Sequence, residues 1–173
     1  MSQRFLQVGA EPLTESLILE LGELLRQRGW SVSCAESCTG GGVAYAFTSV
    51  SGSSDWFNMS WVTYSNAAKQ RALSVEPETL ARYGAVSQQV VEQMVLGVHN
   101  HSGAQLAVSV SGVAGPGGGS VEKPVGTVWF GFYLNGEVLS SRQRFEGDRK
   151  AVRQQSVAYA VRFLFQWLVE NPA

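Results

Sequence analysis

Between residues 30 and 50 the chain passes from a strand to a helix through a run of small residues, and this limits the fold more than any other stretch. Residues 30–35 alternate as a strand does, and residues 43–50 continue as a helix. Between and overlapping them lies Cys34-Ala35-Glu36-Ser37-Cys38-Thr39-Gly40-Gly41-Gly42. The first turn of a helix that starts this way has backbone N–H groups without partners, a ready place for an anion or a developing oxyanion. Ser37 stands at that turn, where an attacking hydroxyl would have the neighbouring amides beside it. The stretch is not a G-x-S-x-G elbow. Nor is it a triphosphate loop, since Val43-Ala44 follows the glycines where Gly-Lys-Ser/Thr would be needed. Two readings stay open at this point: a nucleophilic serine, or a Ser/Thr-capped helix whose glycines permit close packing.

The rest of the chain repeats the alternation of strand and helix signals. Residues 1–12 have no clear period and read as a loose lead-in. Leu13, Leu17, Ile18, Leu21, Leu24 and Leu25 then recur at helical spacing until Gly29 stops them. Ser51-Gly52-Ser53-Ser54 breaks the helix after the turn, and a second strand is expected over residues 60–64. Residues 66–73 are helix-like, with Asn66 as the expected N-cap directing Lys69 back toward the first turn. Pro77 and Glu78 open a short helix. Ser87 caps an amphipathic one carrying Val90, Val91, Met94, Val95 and Val98. Residues 106–110 read as a buried third strand. Asn135-Gly136 is a strong hairpin signal, so residues 125–134 and 137–145 should pair antiparallel. Asp148 caps a long closing helix marked by Val152, Val157, Val161, Leu164, Phe165 and Leu168. The prediction is a three-layer α/β/α sandwich on a mixed, mostly parallel five-stranded sheet, with residues 1–173 forming one domain.

Composition narrows the partners. A chain of 173 residues, 45% hydrophobic and 16% charged, is long enough for one sizeable core. The formal net charge of −1 does not favour nucleic acid or an anionic membrane, whereas a small charged metabolite is easy to accommodate. No apolar run approaches the ~18 residues of a membrane span, and no basic-then-apolar leader opens the chain, so a cytoplasmic location is expected. Cys34 and Cys38 are poorly spaced for a disulfide and are expected as reduced thiols. Cys38 is a rival to Ser37 as nucleophile, because it sits beside the same helix start. His99 and His101 fall at a helix end without accompanying ligands, and no metal is expected. Trp56, Trp61, Trp129 and Trp167 read as core residues. The glycine-rich run from Gly115 to Gly119 is too long for a simple turn; it is either a mobile surface loop or a cradle of amides for a phosphate.

A resemblance becomes visible once these segments are set in order. Ala35-Glu36-Ser37-Cys38-Thr39-Gly40-Gly41, Val62-Thr63-Tyr64-Ser65-Asn66-Ala67-Ala68-Lys69, Gly84-Ala85-Val86-Ser87, Ser111-Gly112-Val113-Ala114-Gly115-Pro116-Gly117-Gly118, Lys123-Pro124-Val125-Gly126 and Gly147-Asp148-Arg149 follow one another. Together they resemble the CinA C-terminal domain family over residues 13–168. Characterised members of that family are nicotinamide-nucleotide amidohydrolases, and its fold is an α/β/α sandwich on a mixed sheet. The resemblance implies hydrolysis of the carboxamide of nicotinamide mononucleotide to nicotinic acid mononucleotide and ammonia, without a cofactor. The partner is then a pyridine mononucleotide, and a homo-oligomer is compatible with it.

Carried over by position, the resemblance implies Ser37 as nucleophile, with Tyr64 and Lys69 as its catalytic partners. A lysine serves as the base if desolvation or a nearby cation leaves its amine neutral. Tyr64 would relay a proton or orient the hydroxyl. Thr39, Gly40 and Gly41 would offer N–H groups to the oxyanion. Asn66, Ser111, Gly112, Ala114, Gly115 and Gly117 would surround the substrate, and Arg149 would add a bidentate phosphate contact. Glu36 would either face the cationic ring or stabilise the start of the following helix. Two departures from the family pattern stand out. Ser111 replaces a threonine and keeps the hydroxyl, while Ser60 replaces a usual glycine and is expected to narrow the approach to the site. Many members carry a further N-terminal domain, and this chain reads as the stand-alone form. A catalytically silent paralogue that binds a nucleotide is the alternative function.

Overall fold

A computed structural model describes residues 8–173. The expected lead-in over residues 1–12 therefore lies partly outside the described residues. The order is α1 (Glu15–Arg28), β1 (Val32–Glu36), α2 (Gly42–Thr48), a 3₁₀ turn (Ser53–Asp55), β2 (Phe57–Val62), α3 (Asn66–Leu73), α4 (Pro77–Tyr83), α5 (Gln88–Ser102), β3 (Leu106–Gly112), β4 (Thr127–Leu134), β5 (Glu137–Arg144) and α6 (Arg149–Glu170). Thr14, Ser87 and Asp148 cap α1, α5 and α6 by accepting a backbone N–H, and Gly29 ends α1 in the left-handed conformation.

The five strands are ordered β2-β1-β3-β4-β5. β1 runs parallel to both neighbours, β4 is antiparallel to β3 and β5, and so four strands share one direction while β4 alone opposes them. Asn135 and Gly136 both take positive φ, 49° and 108°, as a tight hairpin turn of matching twist requires.

Alternation along the strands divides the core into two layers. Val32, Cys34, Leu106, Val108, Val110, Phe130 and Phe132 pack with α1, α2 and α6, while Ala35 and Ala107 pack with α3, α4 and α5. Trp56 is fully buried and meets Phe47 edge to face at 5.9 Å. The chain leaves β1 toward β2 on one side and returns to β3 on the other. In an open α/β sheet, such a reversal opens a crevice beyond the C-terminal ends of the strands.

Candidate active site

Ser37 directly follows β1 at that crevice, and its N–H donates to Val110 O of β3 at 2.9 Å. Because Cys34 and Glu36 face the α2 and α6 layer, strand alternation turns Ser37 toward the layer of α3. There Lys69 Nζ lies 3.1 Å from Ser37 Oγ. The same amine donates to Thr63 O at 2.8 Å and lies 3.5 Å from Tyr64 O. Lys69 is delivered by the first turns of α3, whose side chains lean toward the helix N-terminus and so reach back over the end of β2. The cap of that helix is Ser65, whose Oγ accepts from Ala68 N, and not Asn66, which is its exposed first residue. Lys69 is 1% exposed, and among the described residues no carboxylate pairs with it. Burial holds its pKa below that of an ordinary lysine, because the ammonium form is the one that loses hydration.

The turn itself is built by Glu36. Its carboxylate is fully buried and accepts from Val43 N at 2.7 Å, Ala44 N at 3.1 Å and Thr39 Oγ1 at 2.6 Å. The Cys34 thiol also donates to it, at 3.9 Å. With its oxygens engaged by the turn, by the first residues of α2 and by β1, Glu36 stabilises the start of that helix and does not face a bound ring. Gly40 and Gly41 take φ of 58° and 101°, which side chains rarely tolerate. The N–H of Gly40 is used within the turn, donating to Ser37 O at 3.0 Å, so it is not free for an oxyanion. The N–H groups of Thr39 and Gly41 meet no acceptor among the described residues. Cys38 is buried, and desolvation pushes its thiol up to about 11, which keeps it protonated near neutral pH.

Arg149, at the start of α6, donates to Gly115 O at 2.9 Å and to the Tyr64 hydroxyl at 3.1 Å. The Tyr64 side chain thus reaches Arg149 and not Ser37 or Lys69; only its carbonyl approaches the amine. The expected relay through the phenol is not formed. Ser111 is buried near the end of β3, one residue past the Val110 that pairs with Glu36, and so by alternation faces the layer of α3 and α5. Gly112 answers to packing: a Cβ there would fall 2.8 Å from Thr127 O. Ala114 and Gly115 are buried, whereas Gly117 is exposed on the loop. Ser60 pairs with Cys34 inside β2 and faces the α2 side, so it does not narrow the approach to Lys69.

A cleft of ≈ 670 Å³ opens beside the turn, lined by Ala114, Pro116, Val125, Asp148 and the cations Arg149, Lys150 and Arg153. Lys150 and Arg153 were not legible as site residues, although Arg149 and Arg153 are four apart on one helix and so share a face. Thr63 also escaped notice. Its carbonyl holds Lys69, and its buried hydroxyl has no partner among the described residues. A larger cleft of ≈ 970 Å³ lies between residues 8–15, α2 and α6 and shares Lys150 and Arg153 with the first; neither cleft is lined by Ser37, Tyr64 or Lys69. His99 is elsewhere, stacked on Tyr133 at 3.8 Å with Nδ1 against Ala104 O.

Residues 14–168 match the family model of the CinA C-terminal domain. The chain belongs to the CinA C-terminal domain family. Relatives in this family include the nicotinamide-nucleotide amidohydrolase PncC of Escherichia coli K12, 50% identical over 164 residues, covering 92% of this chain and 99% of that protein. The protein of the same name from Pseudomonas putida is 54% identical, covering 90% of this chain and 97% of its own. Among solved structures, the CinA superfamily protein of Klebsiella pneumoniae 700603 superposes with a TM-score of 0.86 at 38% identity, covering 90% and 98% of the two chains. The chain thus shares its α/β fold with solved CinA superfamily structures. No helix among the described residues is long and apolar enough to cross a membrane.

Proposed function

We propose that this chain hydrolyses the carboxamide of nicotinamide mononucleotide, releasing nicotinic acid mononucleotide and ammonia through an ester on Ser37. The observation that carries the reading is the contact of 3.1 Å between Ser37 Oγ and a buried, charge-averse Lys69. It occurs in a chain about half identical to proteins named for that reaction.

With Thr63 O accepting one N–H, a neutral Lys69 turns its lone pair toward the serine hydroxyl. Ser37 Oγ attacks the carboxamide carbon as its proton passes to Lys69 Nζ. The carbonyl oxygen becomes an oxyanion, and the unpaired N–H groups of Thr39 and Gly41 stabilise it. The C–N bond then breaks, Lys69 returns the proton to nitrogen, and ammonia leaves. Water repeats the sequence, giving its proton to Lys69, attacking the ester carbon and releasing the carboxylic acid as Ser37 recovers its proton. Arg149 and Lys150 offer two cations to the phosphate in the ≈ 670 Å³ cleft, with Tyr64 holding Arg149 in place. Ser111 flanks the ring. Asn66, Gly115 and Gly117 border the nucleotide.

The test is ammonia release from nicotinamide mononucleotide, run with hydroxylamine present. Wild type should form nicotinic acid mononucleotide, and hydroxylamine should divert part of the acyl group to a hydroxamate. Ser37→Ala should do neither. A folded wild-type protein that releases no ammonia would establish the silent paralogue instead.

A further inference from the structure

We propose that Arg153 is a positioning residue that aims the oxyanion-binding amide at the reacting centre. The inference rests on the amidohydrolase reading above. Arg153 projects from the second turn of α6 into the far side of the nucleophile turn, where its Nε donates to Cys38 O at 3.1 Å and its terminal NH2 group to Thr39 O at 3.2 Å. One planar guanidinium thus grips two consecutive carbonyls, a geometry that a lysine ammonium cannot reproduce.

The two peptide units held this way matter for different reasons. In a trans peptide the C=O and the N–H point in opposite directions. The unit whose carbonyl is Cys38 O carries the N–H of Thr39. Drawing that carbonyl toward α6 turns the N–H away from α6, to the side where Ser37 meets Lys69. The unit whose carbonyl is Thr39 O carries the N–H of Gly40, which closes the turn onto Ser37 O at 3.0 Å and so presents the serine.

The surrounding packing is shaped for this grip. The Arg153 NH2 group packs at contact distance over Gly40, 3.4 Å from where a Cβ would stand. One helical turn further along α6, Val157 Cγ2 would meet a Cβ at Gly42 at 2.8 Å. α6 is therefore seated directly on the turn, and Arg153 needs no movement to reach it.

Because an oxyanion exists only in the transition state, loss of the grip should lower kcat and leave KM nearly unchanged. Arg153→Ala and Arg153→Lys are compared with wild type on nicotinamide mononucleotide and on thionicotinamide mononucleotide, whose sulfur is a poorer acceptor for the same N–H groups. For Arg153→Ala we expect kcat on the amide to fall by about a hundredfold, the loss typical of a disabled oxyanion donor. KM should stay within about threefold. The preference for amide over thioamide should shrink by about tenfold or more, because the donor that distinguishes oxygen from sulfur is no longer aimed. Arg153→Lys, which keeps the charge, should fold and yet show the same fall in kcat and the same shrinking of the amide preference. It carries the test should the alanine variant fail to fold.

A rise in KM at unchanged kcat would overturn the proposal and make Arg153 a direct phosphate ligand in the adjoining cleft. Wild-type kcat in either folded variant, or an unchanged amide-to-thioamide ratio, would overturn it as well. Ser37→Ala separates this result from the reading beneath it: activity in that variant removes the serine mechanism, whereas its inactivity beside a fully active Arg153→Ala removes only the role of Arg153.

Discussion

An amine that is 1% exposed and faces a serine hydroxyl is held largely by what it lacks, namely water. Its lowered pKa predicts that kcat rises with pH along a limb whose midpoint lies below that of a free lysine. Lys69→Arg should be inactive at every pH, because guanidinium does not give up its proton. The same shift predicts a stability slope. Between the folded and the unfolded pKa, the unfolded chain binds more protons at Lys69, so stability rises with pH across that window. Lys69→Met abolishes this contribution, and its urea midpoint should lose ground to wild type as the buffer moves from neutral to alkaline. Parallel midpoints would mean that Lys69 is not desolvated in solution. At the neighbouring position, Cys38→Ala should retain most of the activity, since its thiol is buried and protonated. A dead Cys38→Ala beside an active Ser37→Ala would exchange the two roles.

The helices around the site are held by contacts as specific as the chemistry they support. Glu36 receives two backbone N–H groups and one hydroxyl at the start of α2. Glu36→Ala would leave those donors buried without an acceptor, and it should lower unfolding free energy by about 3 kcal/mol in urea titrations. A loss below about 1 kcal/mol would show that water replaces the carboxylate. On the opposite face, α3 lies against α5 at Gly97, where a Cβ would fall 2.3 Å from Leu73 O. Gly97→Ala must push α3 outward, and Lys69 rides on α3. It should cost about 1–3 kcal/mol in stability and reduce kcat, although it lies outside the crevice.

Much of this arrangement was legible because local rules and packing agreed. Ser87 and Asp148 were readable as caps, and Asn135-Gly136 as the hairpin, from backbone chemistry alone. β2 was displaced, expected over residues 60–64 and found at Phe57–Val62, since an edge strand with half of its residues exposed carries little alternation. Ser65 took the cap expected of Asn66, as both side chains are good acceptors and only geometry separates them. Arg153 was hidden for a different reason: its partners are carbonyls more than a hundred residues away, and nothing in a charge pattern marks a guanidinium that binds backbone.

Four segments distant in sequence converge on the crevice: the turn after β1, the end of β2 with α3, the loop after β3, and the start of α6. The reversal between β2 and β3 produces this, because it leaves the C-terminal end of β1 open on both sides. The hairpin at Asn135-Gly136 lies at the other end of the sheet, the full length of β4 away. A short Gly/Ser insertion between Asn135 and Gly136 should therefore leave kcat and KM near wild type even where it lowers the unfolding temperature. Altered KM would mean that the two ends of the sheet are mechanically coupled.

β4 alone runs against its neighbours, so the connection across residues 113–126 departs from the crevice and comes back to it, with Gly112 and Val128 paired at its base. Its ends are fixed by hydrogen bonds from Val113 N to Thr127 O and from Gly126 N to Val113 O, each at 2.8 Å, and the exposed stretch between them takes part in no strand pairing. Descent with modification thus has a segment on which to try new leaving groups or larger nucleotides while Ser37 and Lys69 remain where they are.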